Sequence, residues 1–469
     1  MRIADIINQD GDKRCLDAYQ KAQDVQGKLN ATITFIDPKK QLEEAKEGKL
    51  YKIPVAVKDN YNTKGILTTA GCKILDNYIP VYDATVVKKL KEAGAIMIAK
   101  SSMDELAMGG SNMTSIIGPC YNPYDLNRIS GGSSGGSAVL TAANVVPIAI
   151  GSDTGDSVRK PASFTNTIGV KPTYGRISRY GVIPYASSLD HVGYFTNDVK
   201  DAALVLECIA GRDDNDLTTS DLPVPEYSKL LNDDVKGRKI LIFKNVVDVI
   251  DNKDVLAGFN KVVEGLKERG AIIEEVSFDD TLLKAILPTY YVIANAESSA
   301  NHSNLDGVRF GHRIEGEDTD QIMINSRTAG FGPLLKKRFI IGSYALFEDN
   351  QERIFRKAQK IRRLINDDIY AKLKDADCLL APASGKPAPL IDNDKDADEL
   401  SNEYLIAENH LVIANFMGLP SMSMPMCFTN GLPVGISLMC NAFKEQTMFD
   451  IALAIEGITG LDNRTKEDF

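Results

Sequence analysis

Residues that bind metals or form disulfides are scarce in this 469-residue chain. Its four histidines, His191, His302, His312 and His410, are scattered, with no HExxH and no Cys/His cluster, so the usual zinc patterns are excluded. The seven cysteines are odd in number and form no C-x-x-C, as expected of reduced thiols rather than a disulfide frame. No run reaches the ~18 apolar residues a membrane span needs. The opening residues, Met1 to Asp10, lack the basic end and apolar core of a signal peptide. A GxxxxGK[ST] phosphate loop is absent. Lys and Arg number 54 against 64 Asp and Glu, a net charge of −10, which argues against nucleic-acid binding through bulk charge. The expectation is a soluble, cytoplasmic protein with no metal and no cofactor of its own.

What is present is an alternation of strand-like and helix-like segments. Residues 53–57 form a short apolar run ending at Lys58. An amphipathic helix is expected over 84–93, with Asp83 capping its start and Gly94 its end. Strands follow at 95–99 and 145–150, around a small-residue helix at 136–144. A further strand–helix–strand unit spans 239–243, about 254–268 and 271–278. This order predicts an α/β fold, with a parallel or mixed sheet covered by helices on both faces, forming one large domain over 1–469. The acidic stretches 212–222 and 391–400 read as surface loops. The basic run 353–363 reads as a solvated helix face, with Ile354, Ala358, Ile361 and Ile365 inward. Contact with RNA or an acidic partner is the sharper alternative.

Chemistry concentrates between Ser130 and Pro172. The run Ser130-Gly131-Gly132-Ser133-Ser134-Gly135-Gly136-Ser137 precedes a helix. Glycines there let backbone amides approach a bound group, although an isolated run of this kind is more often only a tight turn. It also satisfies G-x-S-x-G, but a hydrolase elbow needs an apolar strand before it. The residues from Tyr124 to Ser130 are largely polar, so a Ser/His/Asp hydrolase is a weak rival. Beyond the third strand, Gly151-Ser152-Asp153-Thr154-Gly155-Asp156-Ser157 is a polar turn. A serine within it is presented where open α/β folds place ligands, and the amides of Thr154, Gly155, Asp156 and Ser157 can form an anion nest. A serine nucleophile needs a base. Lys58, at the end of an apolar strand, can serve if desolvation lowers its pKa; by itself, a strand-end lysine is more often a surface residue.

VAVKDN, GGSSGGSA, GSDTGDSVRKPAS and GVKPTYGRISRYG together resemble the amidase signature family. Lys58, Ser133 and Ser157, separated by 75 and 24 residues, have that family's spacing. The resemblance covers about residues 25–460. It implies a Ser–Ser–Lys triad with Ser157 as nucleophile, Ser133 as bridge and Lys58 as base, the catalytic motifs lying within 50–200. Met103 to Gly109, Phe164 to Thr196 and Asn415 to Pro420 are most similar to the branch that hydrolyses glutamine for tRNA-dependent amidotransferases. For this chain that branch implies glutamine as substrate, held by Tyr290, Arg338 and Glu408 from covering elements within 280–425. It also implies B and C subunits as partners, with ATP and Mg bound by a partner and mischarged Glu-tRNA(Gln) reached through the complex. A stand-alone amidase acting on small amides is the alternative, and a catalytically weak scaffold a third reading. Asp156 stands where most members have Gly, and Glu408 where Asp is more frequent. Asp156 is expected to point away from the oxyanion, paired with Arg159 or Lys160.

Overall fold

Apolar runs without polar alternation make strands buried on both faces, and the centre of this fold is built from them. In the computed structural model, which describes residues 1–391, 401 and 403–461, eleven strands form one mixed sheet. From edge to edge they are Thr32–Phe35, Ile96–Ser101, Pro54–Lys58, Ile148–Asp153, His191–Thr196, Ile168–Lys171, Ser421–Thr429, Leu432–Met439, Cys378–Pro382, Lys239–Phe243 and Ile272–Val276. Successive residues of a strand serve opposite faces. Val55 and Val57 join the larger apolar layer, while Ala56 joins a smaller one beneath helices Gly11–Leu29 and Gly135–Ala142. The expected α/β fold with both faces covered is what forms.

The units expected from the sequence hold, with shifts at their ends. Strand Pro54–Lys58, helix Thr85–Glu92 and strand Ile96–Ser101 form a parallel crossover. Gly94 closes that helix at φ 88°. Asp83 does not cap it: Ala84 occupies the cap position, and the Asp83 carboxylate instead accepts from Lys64 N at 2.8 Å and Lys91 Nζ at 2.7 Å. The strand expected at 145–150 starts at Ile148, because Val145 and Val146 are spent on a buried turn back to the Leu140 carbonyl and Pro147 has no N–H for a ladder. Lys239–Phe243 and Ile272–Val276 pair in parallel around helix Lys253–Glu268, as read.

Two further expectations change in character. The stretch 212–222 is a surface loop, yet it is pinned: Asp213 accepts from Thr85 Oγ1 and Ser178 Oγ, and Asp216 from Arg179 N. Residues 392–400 of the second acidic stretch lie outside the described residues. The basic run opens helix Lys357–Leu373, with Ala358 and Ile365 buried and Ile354 and Ile361 half-buried. Two of its charges find local acids as on a solvated face, Arg356 with Glu352 at 3.1 Å and Arg363 with Asp367 at 2.8 Å, while Arg362 turns inward and donates to the Phe416 carbonyl at 2.8 Å.

The fold positions the site through one consequence of parallel pairing. Strands Ile96–Ser101, Pro54–Lys58 and Ile148–Asp153 are neighbours running the same way. Their C-terminal residues Ser101, Lys58 and Asp153 therefore fall along one edge of the sheet, where α/β folds bind ligands.

Candidate active site

Lys58 is the last residue of its strand and is fully buried, with 0% exposure. Its ammonium donates to Ser133 Oγ and Ser134 Oγ, each at 2.8 Å, and to Ser152 Oγ at 3.0 Å. Burial lowers its pKa to about 7, despite opposing pulls from Asp104, Asp153 and Asp190. No carboxylate forms an ion pair with it among the described residues. A lysine desolvated among hydroxyls is poised to exchange a proton near neutral pH.

The Ser/Gly run delivers Ser133 to this lysine. The Gly132–Ser133 peptide is cis, and Gly132 N donates to the Gly110 carbonyl at 2.8 Å. Glycine is required at 132 by close approach, since a Cβ there would lie 2.1 Å from Asp104 Oδ2 and 2.6 Å from Ser111 N. Asp104 in turn accepts from Asn112 N and Thr114 Oγ1 at 2.9 Å each, so its carboxylate is fixed against the loop.

Ser157 is brought in by its backbone: its carbonyl accepts from Ser134 N at 3.1 Å. Among the described residues its hydroxyl has no hydrogen bond to Ser133. The structure thus joins Lys58 to Ser133 and leaves the Ser157 hydroxyl without a hydrogen bond among the described residues. Among the described residues, the amides of Thr154, Gly155, Asp156 and Ser157 donate to no protein acceptor. Unclaimed consecutive N–H groups beside a serine hydroxyl could serve as an oxyanion hole. Beneath the turn, buried Asp153 binds Arg159 at 2.9 Å. Burial would raise the pKa of Asp153, but the guanidinium holds it well below the usual carboxylate range.

The turn opens into a cavity of about 630 Å³, whose wall includes Gly155, Asp156, Lys160, Tyr290, Arg338 and Glu408. All three residues expected to hold glutamine are therefore gathered at one place. Arg338, on helix Pro333–Leu346, donates to Tyr185 Oη at 3.0 Å and lies over the Tyr291 ring. Tyr290, on helix Ile286–Asn301, packs edge-on to Tyr185. Its ring crowds Gly155, where an added Cβ would come within 3.0 Å of it.

One expectation needs correction here, the pairing of Asp156. Glu408 lines the cavity with partners of its own: it accepts from Lys160 Nζ at 2.8 Å, from Ser384 Oγ at 2.8 and 3.0 Å, and from Gly385 N at 2.8 Å. Burial would raise its pKa, but Lys160 outweighs that and holds the group ionised. Asp156 pairs with neither Arg159 nor Lys160, because Arg159 is taken by Asp153 and Lys160 by Glu408. Asp156 is half-buried, lines the cavity and has no positive φ. Burial pushes its pKa up to about 6.

Several residues of the site were not singled out in the sequence. Ser134 and Ser152 complete the lysine's shell, and Asn415 bonds both Asp153 and Arg159. Ser134 and Ser152 lie inside segments already flagged, but nothing in their spacing ranks them above their neighbours. Asn415 meets Asp153 across 262 residues of chain, a contact only the fold creates. Among the described residues no histidine bonds Lys58, Ser133 or Ser157: His191, His302 and His410 bond backbone carbonyls and His312 pairs with Asp76. Among the described residues, no group of His, Cys, Asp and Glu is placed to hold a metal ion.

A family model described as Amidase matches residues 15–449, and the chain belongs to that family. It is 41% identical over 452 residues to the A subunit of glutamyl-tRNA(Gln) amidotransferase from Lactobacillus acidophilus, covering 95% of this chain and 92% of the relative. Identity to the protein of that description from Moorella thermoacetica is 41% over 454 residues, covering 94% and 92%. The crystal structure of the corresponding A subunit from Thermotoga maritima matches with a TM-score of 0.81 at 36% identity, over 97% of this chain and 94% of that one.

Proposed function

We propose that this chain is the glutaminase component of a tRNA-dependent amidotransferase. The observation that carries this reading is the hydrogen bond from buried Lys58 to Ser133, beside a nucleophile turn that opens onto Arg338. Neutral Lys58 takes a proton from Ser133 as Ser133 takes one from Ser157. The Ser157 oxygen attacks the side-chain amide carbon of glutamine, and the free amides of residues 154–157 stabilise the oxyanion. The protonated lysine returns its proton through Ser133 to the leaving nitrogen, and ammonia departs. Water then hydrolyses the glutamyl ester to glutamate.

Arg338 suits the α-carboxylate, since a guanidinium offers two parallel donors, and Tyr290 closes the wall beside it. In this reading ammonia passes to a B subunit, where ATP and Mg activate the Glu of mischarged Glu-tRNA(Gln). A C subunit completes the complex, in the cytoplasm. No described helix is long and apolar enough to cross a membrane.

The test is ammonia release from glutamine by the purified chain, alone and with candidate B and C partners, against a panel of small primary amides. Release specific to glutamine, and stimulated by the partners, is expected. Turnover of small amides with glutamine ignored would instead make the chain a stand-alone amidase.

A further inference from the structure

We infer that Asp156, rather than Glu408, receives the α-ammonium of the substrate amino acid and so sets glutamine apart from simple amides. This rests on the glutaminase reading above. The charges of the cavity point to it. Lys160 is answered by Glu408 at 2.8 Å and Arg128 by Asp125 at 3.0 Å. Lys386 is exposed, 4.0 Å from Glu403. Among the described residues, Arg338 and Asp156 are the cavity's remaining cation and carboxylate without an ion partner. One unpaired cation and one unpaired carboxylate in a single cavity complement the two main-chain charges of an amino acid.

Glu408 is poorly suited to the role. Both of its oxygens are occupied, and Lys160 is further tied to the carbonyls of Ala383 and Glu408 itself. A substrate ammonium drawn to Glu408 would meet the Lys160 charge at bonding distance, a like-charge contact that opposes binding. Asp156 has no such neighbour bonded to it, and its backbone φ is not in the left-handed region, so the residue is not there to relieve a turn.

Position also favours Asp156. Only two methylenes separate the reacting carbon of glutamine from its α-carbon, and Asp156 immediately precedes the nucleophile. Arg338, Tyr290 and Gly155 line the cavity toward it, with Tyr185 bonded to Arg338 and packed against Tyr290 behind them. An ionised carboxylate beside the oxyanion amides opposes the transition state unless it is neutralised. The ammonium of glutamine neutralises it, whereas an amide without an ammonium leaves it uncancelled.

The experiment compares kcat/KM for glutamine with that for 4-carbamoylbutanoate, which keeps the amide and the α-carboxylate but lacks the ammonium. The full chain is used, co-expressed with its proposed partners. In Asp156→Asn the glutamine preference should fall about tenfold or more, the range of one charge-assisted hydrogen bond, through a loss on glutamine and a gain on the analogue. Asp156→Gly should fall likewise. The double variant Lys160→Met/Glu408→Gln removes the ion pair as a unit and should keep the preference within about threefold of wild type. An unchanged preference in Asp156→Asn, equal losses on both substrates, or a collapse confined to the double variant would each overturn the assignment while leaving the glutaminase reading intact. A wild-type enzyme that ignores glutamine would overturn both.

Discussion

If Lys58 is the base, the rate must follow its neutral form. An exposed lysine with pKa 10.5 is neutral in only about one molecule in 3,000 at pH 7, whereas a pKa of about 7 leaves about half of it neutral. The difference corresponds to about 5 kcal/mol against the ammonium, and burial is its principal cause. The log of kcat/KM should therefore rise with unit slope on the acid side and level off above an apparent pKa near 7. With glutamine, Asp156 adds a second ionisation at about 6, in the field of Lys160, Asp153, Arg159 and Glu408. Asp156→Asn or the des-amino substrate should remove that one and leave the Lys58 limb in place. Lys58→Met should lower turnover by at least about 10³-fold. The linkage has a definite sign: the folded-state pKa is depressed, so the contribution of Lys58 to stability is complete above 10.5 and is lost as pH falls to about 7. The urea midpoint of Lys58→Met should gain on wild type as pH falls through that window. A rate flat across neutral pH, an acid limb near the ordinary lysine value, or near wild-type turnover in Lys58→Met would refute the reasoning.

Arg338→Lys keeps the charge but loses the two-pronged donor. It should raise the KM for glutamine by about tenfold or more and barely affect a small amide without an α-carboxylate; equal losses on both would make Arg338 a folding residue instead. Gly132→Ala drives a methyl group into Asp104 and the amides of Ser111 and Asn112. Since a displacement of about 1 Å at a reacting group can cost about 10²-fold, glutaminase activity should fall by at least that much while far-UV circular dichroism stays native. Full activity in Gly132→Ala would show that the loop has slack the packing denies.

Much of this protein was legible along the chain because the relevant signals are local. Uninterrupted apolar runs such as 53–57 and 239–243 announced buried strands, and their alternation with amphipathic segments announced a sheet covered on both faces. Ser/Gly composition marked the loops at 130–137 and 151–157, and four motifs in register carried the family resemblance. Lys58 could be nominated because desolvation follows from ending an apolar strand. The shell around it could not: Ser134 and Ser152 become ligands of its ammonium only when parallel pairing lays two strand ends side by side.

Pairings between charges were the least legible feature, and the physical reason is distance along the chain. Lys160 finds Glu408 across 248 residues, and Asp153 finds Asn415 across 262. Read along the chain, Asp156 belongs to the cations nearest it, Arg159 and Lys160, because local separation is all a sequence displays. Tertiary packing brought Glu408 to the ammonium, while the guanidinium went to Asp153, six residues away in the chain and carried beneath the turn by its strand. Residue types and local order thus settled which chemistry the site commands. Only the fold decided which of the cavity's carboxylates is already neutralised and which is left without an ion partner, because buried charges choose partners by proximity in space.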